Sequence, residues 1–373
     1  MKTIRLASFQ GINNRLPRHG LGREGEEGAR YLADAANVDV EEDGSLCRRD
    51  AARLVLPLAG AHSGFCWQGQ AYVCQNNALF AINPATGDKT LLAYVQGRVS
   101  YAGFLGGVYF SDGVRLREIF QGKALPVTAP VPDAPKGNAP GAKNRHLVAL
   151  TSLVGTLESA PSPIVPLGGG NILLPDAPAG VTHFGVYVSA ADGEVLNLLD
   201  FFPATTRVVP IGVPVNKPLP FVGKDETPAG EIIRVANGRL FSARGNTLFW
   251  SETYNFGIYD PLANYVRFPA PVSVVEPCGA GMWIVADKAY FLSAPGSPDA
   301  ALREALPYGA ARFASAKGPE DGSVFWLSAR GLCRGAEDGS AQNLTEKNLA
   351  ENFSGTGALR VDNRRVVGVC DGL

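Results

Sequence analysis

Histidines and catalytic motifs are scarce in this sequence. Only four histidines occur in 373 residues, and none lies at a metal-ligand spacing from another histidine or from a carboxylate. The HExxH pattern, paired CxxC motifs, a Gly-x-Ser-x-Gly turn and a phosphate-binding glycine loop followed by Lys-Ser/Thr are all absent. We therefore predict no catalytic residue, no metal ligand and no cofactor, and we expect that the chain is not an enzyme.

Charged residues and long apolar runs are also few. Asp, Glu, Lys and Arg make up 18% of the chain and nearly cancel at a net charge of -1, which argues against nucleic acid or an anionic membrane as a partner. No run of about 18 apolar residues occurs, and no hydrophobic signal core follows Met1. We expect no membrane span, and synthesis in the cytoplasm.

The six cysteines are scattered, and no two lie at a spacing of three. Strand-forming neighbours such as Phe65 and Val73 indicate reduced thiols in a hydrophobic core. Cys66 and Cys74 flank a hairpin, so the sequence leaves open that they face each other. A cytosolic origin argues against a disulfide between them.

What the sequence does contain is a repeated motif, or phrase, that consists of an apolar or aromatic strand, a turn with Gly beside Asp or Asn, and a second strand. Two-residue turns need positive φ angles, which Gly and Asn tolerate, while aromatic and β-branched residues suit the flanking strands. The phrase occurs at residues 65–74, 105–113, 235–251, 282–292 and 324–332. A spacing of roughly 40 residues is typical of four-stranded propeller blades, so the sequence predicts a β-propeller.

The first 55 residues have fewer strand patterns. A Gly-rich polar stretch at 18–28 cannot bury enough apolar surface to order itself alone, so we predict that residues 1–30 form an assembly arm that docks on a neighbour. Residues 37–49 predict a hairpin that turns at Asp43-Gly44, with carboxylates and arginines on opposite arms.

Several segments resemble virion tail proteins of tailed bacteriophages. The resemblance spans most of the chain and is carried by residues 9–14, 34–40, 44–49, 238–243, 248–252 and 331–335. It is strongest to the β-propeller proteins that build the nozzle of short-tailed phages. The resemblance implies a subunit of a homo-oligomeric ring, a hexamer, around the DNA exit channel of the virion tail. It also implies contacts with adaptor and fibre proteins and the transient passage of genomic DNA.

Two Pro-rich connectors, at 128–143 and 213–220, enclose a region of different character. The region contains short strand patterns at 146–154, 171–174, 182–190 and 206–210. Its turn at 158–162 and its strand at 186–189 resemble fibronectin type III modules. We predict a small inserted β-sandwich, truncated or partly open, at 144–212.

These patterns together predict an all-β fold, a β-propeller with an inserted fibronectin type III-like β-sandwich. The predicted domains are an N-terminal assembly arm with the first hairpin at 1–55, a discontinuous propeller at 56–143 and 213–373, and the inserted sandwich at 144–212. Helical patterns are short and poorly periodic, and residues 297–306 and 346–352 are the only helix candidates.

Some turn residues could bind Ca²⁺ or phosphate, but their sequence context favours a purely structural role in turns. Asp192-Gly193 and Asp338-Gly339 carry oxygen ligands of the kind that Ca²⁺ prefers, yet Asp-Gly is far more often a hairpin turn. Gly168-Gly169-Gly170 precedes a strand and not a helix, so it predicts a turn and not a phosphate site.

The tryptophans and basic stretches also allow two interpretations. Trp67, Trp250, Trp283 and Trp326 each lie among apolar neighbours, which favours packing between blades over stacking on sugars. The basic stretches 15–23 and 360–365 suit either a DNA channel or solvated segments, and the second is favoured.

The sequence favours a virion structural protein that acts by assembly. One alternative is a propeller that binds or degrades glycans, for which Trp250 and Glu252 are the first candidates. Another is a peripheral tail or baseplate component. Glu158 and Glu252 each lack a second carboxylate that the sequence can place beside them, so a glycosidase pair is not predicted.

Overall fold

The computed structural model describes residues 9–21, 30–41, 43–49, 57–137, 144–279, 281–319, 321–361 and 366–372. These residues form 36 strands and one helix of four residues, which confirms the all-β class. Within those ranges, no helix has the length and apolar character to cross a lipid bilayer. The chain divides into two compact units, Gly60–Arg267 and the combined segments Met1–Ala59 and Phe268–Leu373. The predicted domain boundaries are finer than this division and stay a prediction.

The N-terminal elements are β1 (Phe9–Ile12), α1 (Arg18–Leu21), β2 (Arg30–Leu32), β3 (Val38–Val40) and β4 (Leu46–Arg48). Strand β1 pairs in parallel with β2, and β3 forms the predicted hairpin with β4. Gly44 adopts a φ angle of 74° in the turn, a conformation that costs glycine little. The predicted charge pairing is present, since Arg49 Nη2 lies 2.8 Å from Asp39 Oδ1.

The unit Gly60–Arg267 begins with two four-stranded antiparallel sheets, each made of strands in chain order. Their strands are β5 (Ala61–Trp67), β6 (Gln70–Gln75), β7 (Ala78–Ile82), β8 (Lys89–Tyr94), β9 (Ser100–Phe104), β10 (Gly107–Ser111), β11 (Leu116–Phe120) and β12 (Lys123–Pro126). The apolar faces of the two sheets share one core that contains Leu79, Val108 and Phe110.

Two further sheets follow, and we call strands β13–β20 the two-sheet body. The strands are β13 (Lys136–Gly137), β14 (Arg145–Val154), β15 (Leu157–Glu158), β16 (Val165–Gly168), β17 (Asn171–Leu173), β18 (His183–Ser189), β19 (Leu196–Pro203) and β20 (Val208–Pro210). The five-stranded sheet of β14, β15, β16, β18 and β19 shares a core with the three-stranded sheet of β13, β17 and β20. Leu150, Ile172 and Val209 lie in that core. The second face of the larger sheet is covered by Leu219, which packs with Tyr187 and Leu198.

The unit ends with a third four-stranded sheet and a short strand pair. Their strands are β21 (Asp225–Glu226), β22 (Ile232–Ala236), β23 (Arg239–Arg244), β24 (Thr247–Trp250), β25 (Ile258–Tyr259) and β26 (Tyr265–Arg267). The sheet has the order β22-β23-β24-β26, and β21 pairs with β25. The turn between β22 and β23 is formed by Asn237-Gly238 with φ angles of 50° and 68°, as the sequence pattern predicts.

The first strands of the three four-stranded sheets contact one another in succession, β5 with β9 and β9 with β22. A serine near the start of one first strand accepts a hydrogen bond from the backbone at the start of the next. Val99 N lies 2.9 Å from Ser63 Oγ, and Ile233 N lies 3.0 Å from Ser100 Oγ. Because a serine hydroxyl both donates and accepts, it can satisfy backbone groups at these junctions without a continuous ladder.

The unit that includes Phe268–Leu373 contains a fourth four-stranded sheet and a six-stranded sheet. Their strands are β27 (Val274–Cys278), β28 (Gly281–Val285), β29 (Ala289–Ser293), β30 (Ala301–Leu306), β31 (Ala310–Lys317), β32 (Val324–Ser328), β33 (Gly331–Gly335), β34 (Ala341–Asn343), β35 (Ser354–Val361) and β36 (Val366–Gly372). In the six-stranded sheet, strands β31 to β34 form a meander like those of the four-stranded sheets. The hairpin of β35 and β36 is added beside β31, which gives the order β34-β33-β32-β31-β35-β36. First strands again contact each other, since Phe313 N donates to Ser273 O at 2.9 Å.

The core of these two sheets is built on two buried tryptophans. The rings of Trp283 and Trp326 are fully buried with centroids 5.3 Å apart, and Trp283 Nε1 donates to Ala336 O at 3.1 Å. A methyl group at Gly335 would overlap the indole of Trp283, so the strand has no side chain there. For these two tryptophans the prediction of packing between sheets is confirmed.

The two helix candidates do not form helices, and the open question about Cys66 and Cys74 is answered. Residues 301–306 form strand β30 and residues 346–352 form turns and irregular structure, so neither candidate segment contains a helix. Cys66 and Cys74 do not face each other, because Cys66 pairs with Ala71 and Cys74 pairs with His62 across the β5–β6 hairpin. Both thiols are free; Cys66 is exposed and Cys74 is buried.

Candidate functional site

The strongest cluster of charged side chains in the unit Gly60–Arg267 surrounds Lys224, and we call Lys224, Arg239, Glu252 and Asp260 the ion-pair cluster. Lys224 Nζ lies 2.7 Å from Glu252 Oε1 and 2.9 Å from Asp260 Oδ2. Arg239 Nη1 lies 3.5 Å from Glu252 Oε2. Between 20% and 29% of each of these side chains is exposed, so all four are partly shielded from water.

Strand pairing brings these residues together. The register of β21 and β25 pairs Asp225 with Tyr259, so Lys224 and Asp260 flank one rung of the ladder. Glu252 lies two residues beyond the end of β24, and its backbone N–H donates to Ile258 O at 2.7 Å.

Arg239 completes the cluster from the first residue of β23. It also donates to Ser251 O at 2.7 Å, which orients its guanidinium toward Glu252.

The ion pairs shift the pKa values of two members of the cluster. The pKa of Lys224 is raised, first by the hydrogen bond that it donates to Glu252 and then by the one to Asp260. The pKa of Asp260 is lowered, chiefly because it accepts from Lys224. A general acid must hold a proton near the working pH, and the lowered pKa of Asp260 opposes this. The cluster is therefore suited to tying β21, β23 and the loop after β24 together.

Glu158, the other lone carboxylate of the sequence, lies in the two-sheet body. Its Oε1 accepts hydrogen bonds from Thr151 Oγ1 at 2.7 Å and from Tyr187 OH at 2.8 Å. Thr151 and Tyr187 are fully buried. The pKa of Tyr187 is raised, first by burial and then by its bond to Glu158, so the phenol remains a hydrogen-bond donor. This network satisfies buried polar groups of β14 and β18.

Trp250 and Trp67 are half-buried, unlike the two core tryptophans. The ring of Trp250 packs against Phe241 of the neighbouring strand with centroids 6.0 Å apart. Trp67 stacks on Phe65 at 6.4 Å. Both rings therefore have apolar partners on their own sheets.

The two Asp-Gly sequences are turns. Asp338 Oδ1 accepts from Ser340 N at 2.8 Å, and Asp192 adopts a φ angle of 56° while its N–H donates to Arg145 O. In the ranges that the structure describes, no group of three His, Cys, Asp or Glu side chains is arranged to hold a metal ion. Gly170 follows β16 in a turn with a φ angle of 122°.

Parts of the two basic stretches are described. Arg15 Nε donates to Leu349 O at 2.8 Å, and Arg360 is exposed on β35. Residues 22–23 and 362–365 lie outside the described residues.

Sequence reasoning identified Glu252 but missed Lys224, Arg239 and Asp260. No local motif links them, because their proximity depends on the pairing of β21 with β25 and on the turn at Asn237-Gly238. The structure does place a second carboxylate near Glu252, but Lys224 lies between the two.

Comparisons with known proteins found no matching family model and no matching curated protein. Among solved structures, similarity was found to AztD from Citrobacter koseri, with 10% identity, a TM-score of 0.35 and coverage of 91% of this chain and 84% of that chain. The Pan2 WD40 domain of Neurospora crassa has 8% identity, a TM-score of 0.32 and coverage of 74% and 75%. The computationally designed Ika8 protein has 10% identity, a TM-score of 0.29 and coverage of 84% and 94%. At these TM-scores the similarity is too low to assign a function.

Proposed function

We propose that this chain is a structural protein of a phage virion tail, a nozzle subunit that forms a ring around the DNA exit channel. The observation that carries the proposal is the set of antiparallel meanders whose first strands contact one another within each compact unit, β5 with β9 and β9 with β22 in one unit and β27 with β31 in the other. The resemblance of segments such as 9–14 and 248–252 to phage nozzle proteins supplies the biological context.

The five meanders are the blades of a β-propeller. They begin at residues 61, 100, 232, 274 and 310, a spacing close to the expected blade length wherever no insertion intervenes. Contact between successive first strands is what a propeller requires, because its innermost strands surround a common axis. The two-sheet body is a fibronectin type III-like sandwich inserted between the second and third blades.

The protein acts by assembly and not by catalysis. Its partners are further copies in a hexameric ring, adaptor and fibre proteins of the tail, and the genomic DNA that passes through. It is made in the host cytoplasm and resides in the virion tail. The pairing of Glu252 with Lys224 and Arg239 supports this proposal over a glycan-degrading one, because both oxygens of the carboxylate lie beside a cation in a structural ion-pair cluster.

Imaging of the purified assembly tests the ring. We expect particles several times the 39.3 kDa of one chain, with rotational symmetry. We expect an axial passage wider than the roughly 20 Å of duplex DNA, whose charged backbone must slide through. A monomer, or a ring without an axial passage, would contradict a nozzle.

DNA affinity provides a second test. A conduit that neutralised many phosphates would bind DNA tightly and slow its movement. With 34 Lys and Arg against 35 Asp and Glu, the isolated chain should show no measurable affinity for a labelled duplex at physiological salt. Strong, salt-sensitive binding in fluorescence anisotropy would defeat the proposal.

A further inference from the structure

Strand β36 lies at the end of the six-stranded sheet and pairs with β35. In the described part of the chain, no strand is hydrogen-bonded to its other edge. Val367 is 55% exposed and Val369 is 66% exposed. A methyl at Gly368 would lie 2.8 Å from Leu327 Cδ1. The face of β36 that carries Gly368 therefore packs against the side chain of Leu327, and Val367 and Val369 lie on the other face.

The other meanders end in edge strands that carry a protective feature. Charged side chains and prolines on an edge strand prevent it from pairing with another chain. Strand β8 contains Lys89, β12 contains Lys123 and Pro126, β26 contains Arg267, β30 contains Arg303 and Glu304, and β34 has only three residues. Strand β36 has no charge or proline from Val366 to Cys370, and its one charged residue is Asp371.

We propose that β36 pairs with β36 of a second copy of this chain, antiparallel and about a two-fold axis. The last strands of the other meanders are protected, so among these outer edges β36 is matched by β36 of a second copy. Two-fold contacts between identical surfaces are the commonest in homo-oligomers, and an antiparallel pair of equal strands has this symmetry. Two six-stranded sheets then become one continuous sheet.

The sequence of β36 is compatible with itself in this arrangement. With the axis at Val369, that residue lies opposite its own copy, and Val367 lies opposite Asp371 of the second chain, so no like charges meet. Odd-numbered residues of β36 share one face with Arg360, which is paired with Val367 in the β35–β36 ladder. Arg360 of one copy is then on the same face as Asp371 of the other, separated by one strand, and attracts it.

This contact does not depend on the proposed nozzle. A ring uses a head-to-tail interface, whereas β36 pairing joins two chains, or two rings, across a two-fold axis. The two ideas therefore predict different effects on mass.

The test is the mass of the purified full-length chain and of two variants by light scattering. Val369→Lys places a charge at the centre of the proposed pair. Leu302→Lys is the matched control, because Leu302 is 41% exposed on the protected edge strand β30. We expect V369K to halve the mass of the assembly and to raise the dissociation constant at least about tenfold, because two lysines then lie opposite each other. L302K should leave the mass unchanged.

Hydrogen exchange of the β36 amides gives an independent readout. In the unaltered chain these amides should become more protected as the protein concentration rises, and in V369K they should not. Thermal unfolding of V369K at the temperature of the unaltered chain would show that the fold is intact. An unchanged mass for V369K, or β36 protection that does not depend on concentration, would overturn the proposal whether or not rings form.

Discussion

At the scale of residues, Lys224 shows how one cation organises three chain segments. It bonds Glu252 and Asp260, which lie on the loop after β24 and directly after β25. Partly shielded ion pairs of this kind contribute more than exposed ones, since water screens them less. An exposed pair in the other compact unit, Lys288 with Glu304 at 2.8 Å, offers a comparison.

Replacing Lys224 by Met should destabilise the protein by about 1 kcal/mol, because two carboxylates lose their shared cation. Lys288→Met removes an exposed pair, and its effect should be smaller than that of K224M. Chemical denaturation at pH 7 measures both. Equal stabilities of K224M and the unaltered chain would show that the ion-pair cluster contributes nothing to folding.

The effect of Lys224 should also depend on pH. The pKa of Asp260 is lowered in the folded chain, so its contribution is present above the unfolded value of about 4 and is lost as the pH falls through the lowered folded value. The stability difference between the unaltered chain and K224M should therefore shrink as the pH falls below about 4. A difference that stays constant over that range would mean that K224M acts through packing alone.

At the scale of elements, strand β30 shows how pairing overrides local preference. Its sequence Ala-Leu-Arg-Glu-Ala-Leu is rich in helix formers, and it lies in one of the two helix candidates of the sequence. The neighbouring strand β29 offers backbone groups along its edge, and β30 pairs with it over its length apart from one irregularity after Ala289. Because helix propensity is worth only a few tenths of a kcal/mol per residue, the ladder prevails.

The two-sheet body is the element best suited to removal. Its two hydrophobic clusters draw their members from residues 147–219, and β13 contributes residues 136–137 to its smaller sheet. Excision at the predicted boundaries, 144–212, would leave β13 and Leu219 behind in the remaining chain. Excision of 136–219 should leave the remaining chain cooperatively folded, as measured by near-UV circular dichroism and thermal unfolding.

The chain that lacks residues 144–212 is the matched control. It should be less stable than the chain that lacks 136–219, because β13 and Leu219 remain without the rest of the two-sheet body. If removing 136–219 unfolds the whole chain, the two-sheet body belongs to the core of the blades.

At the scale of the whole molecule, the N-terminal segment is partly anchored to its own chain. Asn14 N donates to Asn348 O at 3.0 Å, and Asn14 Oδ1 accepts from Ala350 N at 2.7 Å. Arg15 Nε donates to Leu349 O. The part of the predicted assembly arm around residues 13–15 therefore has a site on its own chain, and residues 1–8 lie outside the described residues.

Two variants separate folding from assembly in this arm. We expect a chain that lacks residues 1–8 to unfold like the full chain but to fail to form rings, because the charged and apolar residues of the arm dock on a neighbour. Asn14→Ala should cost about 1 kcal/mol of stability through its lost hydrogen bonds and leave ring formation intact. Normal rings from the truncated chain, seen by electron microscopy, would show that residues 1–8 are not an assembly element.

The sequence by itself determined the all-β class and the positions of the hairpins. Turn residues such as Asn237-Gly238 and Asp43-Gly44 act locally, through φ angles that few other residues tolerate, so their signal survives without tertiary context. Strands β14, β17, β18 and β20 could be predicted because each is a short apolar run that ends at turn residues, which is also a local signal.

Only the tertiary structure decided which strands pair and which charges meet. It placed Lys224 between Glu252 and Asp260, turned Cys66 and Cys74 away from each other, and left the edge of β36 without a partner in the described residues. Each of these outcomes depends on the register of strands. A shift of one residue reverses the face of every side chain on a strand, and composition does not encode that choice.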